Sequence, residues 1–137
     1  MNSLEAFLSP APLEETRDVA IGARFCGKDG KPAVFRVRAL SQEENEAIQN
    51  ECTRFITEGR RRERYFDHAA YLNRLAVEGT VFPDFRNEEL LKAHGALAPA
   101  DLPKKMLRAG EFTALIDAIE ALGEGGSLQE LANEAKN

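Results

Sequence analysis

The side chains that can carry chemistry in this chain are His68, His94, Cys26, Cys52 and the carboxylates of its acidic stretches. None stands at a spacing that a reaction requires. A metalloprotease helix needs two histidines on one face with a glutamate between them. A phosphate cradle needs glycines at a strand-to-helix junction followed by lysine, and a serine hydrolase needs the strained GxSxG turn. No HExxH, P-loop or GxSxG occurs, and the glycines of GKDG and GEGG lie outside any such junction. His68 falls in a helical first turn and His94 beside Gly95, where surface and capping roles are expected. Cys26 and Cys52 lack CxxC spacing and read as small buried hydrophobes rather than a disulfide framework or zinc ligands. The expectation is a protein that is not an enzyme and holds neither metal nor cofactor.

One cluster of basic residues stands out. Arg54, Arg60, Arg61, Arg62 and Arg64 face only Glu58 and Glu63, a local charge of +3. Guanidinium groups grip phosphate bidentately and Tyr65 and Phe66 can stack on bases, so Arg60, Arg61, Arg62 and Arg64 are candidate contacts for a polyanion. The remainder argues against nucleic acid as the main partner. The 137 residues carry 18 Lys and Arg against 23 Asp and Glu, net −5, and 111–137 holds six acids against Lys136 alone. Phosphate binding rests on cationic neutralisation and counterion release, which an acidic surface opposes. A solvated linker between helices, or a contact for the acidic C-terminal stretch, accounts for the same arginines.

The elements that position these residues follow from caps, turns and periodicity. A short helix through Leu4, Ala6, Phe7 and Leu8, capped by Ser3, stops at Pro10 and Pro12, and 9–17 reads as linker. Over 18–40, Val19, Ile21, Ala23 and Phe25 alternate, as do Ala33, Phe35, Val37 and Ala39, which predicts a β-hairpin. Parity favours a three-residue loop, Lys28-Asp29-Gly30. That loop pairs Phe25 with Ala33, Ala23 with Phe35 and Ile21 with Val37, leaving Arg36 and Arg38 on the solvated face.

Residues 41–122 read as a helical core opened by the capping box Ser41 and Glu44, with Ile48, Cys52, Phe55 and Ile56 as one stripe. Asp67 starts a helix that buries Leu72, Leu75, Ala76 and Gly79, and TVFPDF is a loop. Asn87 caps a helix with Leu90 and Leu91 inward and Gly95 as its stop, and another short helix spans Asp101 to Leu107. Phe112, Leu115, Ile116, Ile119 and Leu122 form the clearest amphipathic helix, and Phe35, Phe112 and Ile116 are expected to be buried together. Residues 123–126 are a Gly hinge. Ser127 and Glu130 then open a last helix over 127–137, whose Leu128, Leu131, Ala132 and Ala135 are candidate partner-binding residues.

The class is thus α+β, predominantly α: an N-terminal short helix and β-hairpin, then about five to six helices in one domain. Nothing approaches the roughly eighteen apolar residues a membrane span needs, and no secretory leader is evident, so a cytoplasmic protein is expected.

The order SLEAFL, ARFCGKDGKPAVFRVRALSQEENE, YLNRLAVEGTVFPDFRNEEL, KKMLRAGEFTALIDAI and LQELANEAKN resembles the XkdN-like family of phage tail assembly chaperones over nearly the whole chain. It departs at 57–68, the arginine run, and at Arg108-Ala109-Gly110, where a Thr-Pro-Gly-like helix start is expected. The resemblance carries over no catalytic or site residues. It implies a partner, the tape measure protein, kept soluble in the bacterial host cytoplasm until tail-tube polymerisation displaces the chaperone. Such chaperones are often made in two lengths by −1 frameshifting, the longer form bringing in tail tube protein; Ala135-Lys136-Asn137 permits a slippery GCA AAA AAC, and equally reads as the plain end of a solvated helix. The alternatives are a small nucleic-acid-associated protein using Arg54 to Arg64, or a structural tail component. Oligomeric state is left open.

Overall fold

A computed structural model of the chain describes residues 4–10 and 15–123. Ser3, part of the expected linker, most of the Gly hinge and the expected helix bearing Leu128, Leu131, Ala132 and Ala135 lie outside the described residues. The elements in order are α1 (Glu5–Leu8), β1 (Thr16–Val19), β2 (Phe35–Arg38), α2 (Gln42–Glu51), β3 (Thr53–Glu58) and β4 (Arg61–Phe66). They continue with α3 (His68–Gly79), β5 (Thr80–Phe82), α4 (Glu88–Ala93), α5 (Leu102–Met106) and α6 (Ala109–Gly123). The class is α+β, predominantly α, as the sequence indicates.

Local chemistry sets the helix starts. Ser41 Oγ accepts from the Glu44 N–H at 3.1 Å while Glu44 Oε1 accepts from the Ser41 N–H at 3.1 Å, the reciprocal cap of α2. Asp67 caps α3 and Asn87 caps α4, each accepting from the N–H three residues on. Gly95, at φ +67°, follows the end of α4 in the left-handed region that ends helices. At Arg108-Ala109-Gly110 the missing Ser or Thr cap is half replaced, because Glu111 Oε1 reaches back to accept the Arg108 N–H at 2.7 Å.

Strands β1, β2 and β5 form an antiparallel sheet with β2 in the middle. Phe35 and Val37 of β2 point inward and are essentially fully buried, joining Leu75, Ala76 and Val77 of α3 and Leu115, Ile116, Ile119 and Leu122 of α6 in one core. Burying alternate residues of β2 and one stripe of each helix removes the apolar surface from water. Helices α3 and α6 approach so closely that a Cβ on Gly79 would lie 2.6 Å from a methyl of Ile119. Phe112, expected to be buried, is only half-buried at the edge of this core.

The first hairpin keeps the predicted register at its tip and loses it at its base. Ala33 N–H donates to the Phe25 carbonyl at 2.8 Å and Cys26 bridges Pro32, as the three-residue loop requires. Yet Val19, not Ala23, lies opposite Phe35, and Arg17, not Ile21, opposite Val37. Four extra residues on the first side leave the ladder because three of their neighbours have business with α6. Ile21 enters the core, Gly22 packs under the Glu111 side chain, and Arg24 Nε donates to Glu111 Oε2 at 2.9 Å. Arg24 Nη2 also bonds Glu111 Oε1, and donates to the Met106 carbonyl at 3.0 Å. These contacts hold the Glu111 carboxyl down at about 2, chiefly through Arg24 and then through the Arg108 N–H.

Four further expectations are corrected. Thr16 and Arg17 belong to β1 rather than to a linker, and Thr80–Phe82 of the expected TVFPDF loop is edge strand β5. Cys26 is exposed in the tip of the first hairpin, whereas Cys52 is buried as expected. The largest correction is the arginine run, a second β-hairpin where a helical stripe and a solvated linker between helices were expected.

Candidate binding surface

The β3–β4 arm is built from an alternation that its arginines disguise. Thr53, Phe55 and Thr57 share a face with their partners Phe66, Arg64 and Arg62, while Arg54, Ile56 and Glu58 share the other with Tyr65, Glu63 and Arg61. β-branched and aromatic side chains at such positions favour strand. Gly59, at φ +60° with Arg60 at negative φ, is the first of two loop residues in the arrangement of a type II′ turn. At the base the Asp67 N–H donates to the Cys52 carbonyl at 2.8 Å, and the chain passes directly into α3.

Every residue from Arg54 to Phe66 is exposed. Phe55, Ile56 and Tyr65 stand 56%, 51% and 51% in solvent. A lone two-stranded hairpin is marginal in water, and exposed apolar side chains on both of its faces make the arm a candidate contact surface. The charge is distributed unequally over its faces. Arg54 and Arg61 are balanced by Glu58 and Glu63 on one face, whereas Arg62 and Arg64 have no acid on the other. Arg60, in the turn, supplies the third net charge.

The unbalanced face also carries Phe55 and Phe66, while Tyr65 lies on the other. The Arg62 guanidinium lies 4.1 Å from the Phe55 ring centroid, a cation–π contact that fixes both side chains. Phe66 then continues the stripe toward the body, its ring 5.5 Å from that of Tyr71. The Tyr71 hydroxyl donates to Asn45 Oδ1, and burial pushes its pKa up. Tyr71 lines a groove together with Leu40, Leu75 and Ile119.

The structure therefore brings Arg60, Arg61, Arg62 and Arg64 into one projecting element and joins Phe55 and Ile56 to them. Sequence reading placed those two apolar residues in the α2 stripe. The signal that finds them is the alternation Thr53-Phe55-Thr57 followed by Gly59. Leu128, Leu131, Ala132 and Ala135 lie outside the described residues and are not placed.

The remaining reactive groups are engaged structurally. His68 sits beside Phe66 and Tyr71 at the start of α3, and the His94 N–H closes α4 by donating to Leu90 at 3.2 Å. Burial raises the Cys52 thiol above its ordinary value, which disfavours the thiolate. Beside it, Arg74 pairs with Glu51 at 3.0 Å and Lys104 with Asp101 at 3.2 Å. Among the described residues, no three His, Cys, Asp or Glu side chains are grouped to hold a metal ion. No described helix is long and apolar enough to cross a membrane.

Comparison with known proteins gives this architecture a family. The model of the phage XkdN-like tail assembly chaperone protein family matches residues 4–136. The chain belongs to that family. It is 32% identical to the phage-like element PBSX protein XkdN of Bacillus subtilis (strain 168), covering 96% of this chain and 93% of that one. The uncharacterized protein YqbN of the same strain is 33% identical, with 98% and 93% covered. The crystal structure of YqbN superposes with a TM-score of 0.67 at 28% identity, over 90% of this chain and 98% of that chain.

Proposed function

We propose that this chain binds the tape measure protein of its own tail module and keeps it soluble until tail-tube polymerisation displaces it. The observation that carries the reading is family membership across residues 4–136. The exposed apolar and cationic arm supports it, since such a surface equips a protein to hold a partner. The role is non-catalytic and is carried out in the host cytoplasm. Affinity has to be moderate, because release depends on a growing tube offering the tape measure a larger interface, which is mass action rather than nucleotide-driven work. A longer frameshifted form would recruit tube protein to the same complex.

Co-expression with the neighbouring tape measure gene tests the reading. The tape measure is expected in the soluble fraction, co-purifying with this chain, and is expected to pellet when the chain is omitted. Added tube protein should release the chain. A tape measure that is equally soluble alone, or that never co-purifies, removes the proposal.

A further inference from the structure

The arm has one face whose charge nothing on the arm balances. We propose that this face, made by Phe55, Arg62, Arg64 and Phe66, docks an acidic segment with an apolar stripe from the partner protein. The assignment rests on the chaperone reading above and names the part of this chain that does the holding.

Charge complementarity is the first argument. Residues 54–64 carry +3, whereas the rest of the chain has 13 Lys and Arg against 21 Asp and Glu, net −8. An acidic segment is repelled by the body and drawn to the arm, and on the arm only to the face where Arg62 and Arg64 lack a carboxylate neighbour. The second argument is the apolar content of that same face. Phe55 is 56% exposed and Phe66 39% exposed, alternating with the arginines, so leucine-like side chains and carboxylates of the partner each find a counterpart. The third is length. Six-residue strands span about 20 Å, matched by a helix of about 13 residues.

The same numbers disfavour nucleic acid. Duplex DNA carries one charge per about 1.7 Å, so about 12 phosphate charges would lie along the arm against its net +3, and the duplex would then run onto the acidic body. A second copy of this chain is disfavoured because two such faces repel.

The test uses the full chain and overlapping synthetic peptides that tile the tape measure protein encoded beside it. The peptides bound are expected to be net acidic with an apolar stripe. Arg62→Glu with Arg64→Glu should weaken them at least about tenfold. Arg54→Glu with Arg61→Glu makes the same change in total charge on the balanced face and should cost less than about threefold. Phe55→Ser should weaken binding without lowering the melting temperature.

Equal losses from both reversals, or bound peptides with no acidic bias, overturn the assignment. So does DNA binding tighter than any peptide. Cross-links from Arg62 or Arg64 to Glu130 or Glu134 that persist with peptide present would also overturn it, because the chain's own tail would then be the occupant. If intact tape measure co-purifies equally with the wild type and the Arg62/Arg64 variant, the docking face falls and the chaperone reading stands. If it co-purifies with neither, both fall.

Discussion

Two regions of this chain use large apolar side chains in opposite ways. In the body, β2, α3 and α6 enclose Phe35, Val37, Leu75, Leu115 and Ile119 so that little or none of their surface is left to water. In the arm, β3 and β4 leave Phe55, Ile56, Tyr65 and Phe66 largely outside, held by their own ladder, a cation–π contact and the packing of Phe66 beside His68 and Tyr71. The body's residues gain the hydrophobic free energy on folding. Those of the arm keep it unspent, available to an encounter with another molecule. Apolar content in a sequence therefore divides into what folds the chain and what the folded chain offers, and the division follows from which residues have a second layer above them.

That division is sharpened or broken by substitution. The largest effect is expected at Phe85, a fully buried side chain, where Phe85→Ala should cost about 3–5 kcal/mol in chemical denaturation. Gly79→Ala should cost about 1–3 kcal/mol, because the new methyl meets Ile119, which is itself buried and has nowhere to go. Acid comes next. Glu111 and Glu44 have folded-state pKa values near 2 against 4.5 in an unconstrained chain, through Arg24 and Arg38 respectively. Their stabilisation is complete above pH 4.5 and is lost as the pH falls toward 2, so melting temperature should drop over that window. Glu111→Gln should flatten the drop. The smallest effect belongs to the arm, where Ile56→Ser should stay within about 0.5 kcal/mol of wild type. An arm substitution as costly as Phe85→Ala would erase the distinction.

Local signals were readable wherever the determinants were local. The Ser41–Glu44 box, the Asp67 and Asn87 caps and the Gly95 stop all occur where their residue types demand. The tip of the first hairpin was readable for the same reason. Its base was not, because Arg24 leaves the ladder for a partner 87 residues away that no local pattern announces. The arm was hidden by coincidence. Ile48, Cys52, Phe55 and Ile56 happen to recur at helical spacing, and arginine is a good helix former, so period 3.6 masked the period 2 of Thr53-Phe55-Thr57. The candidate binding arginines were therefore found by composition and their apolar companions were not.

The sheet order has a consequence for how the molecule is made. Strand β2 is complete at Arg38, but the α6 residues that cover its inner face end at Leu122. At ribosomal rates of about 5–20 residues per second, Phe35 and Val37 wait roughly 4–17 s for their cover. The arm needs only its own fourteen residues, Thr53 to Phe66, and hairpins close in about 1–10 μs. The residues of the arm are thus all synthesised well before the body can close, and Arg24 can meet Glu111 only when synthesis of the described residues is almost finished. Any fragment that stops before α6 lacks both the partner of Arg24 and the side chains that cover the inner face of β2.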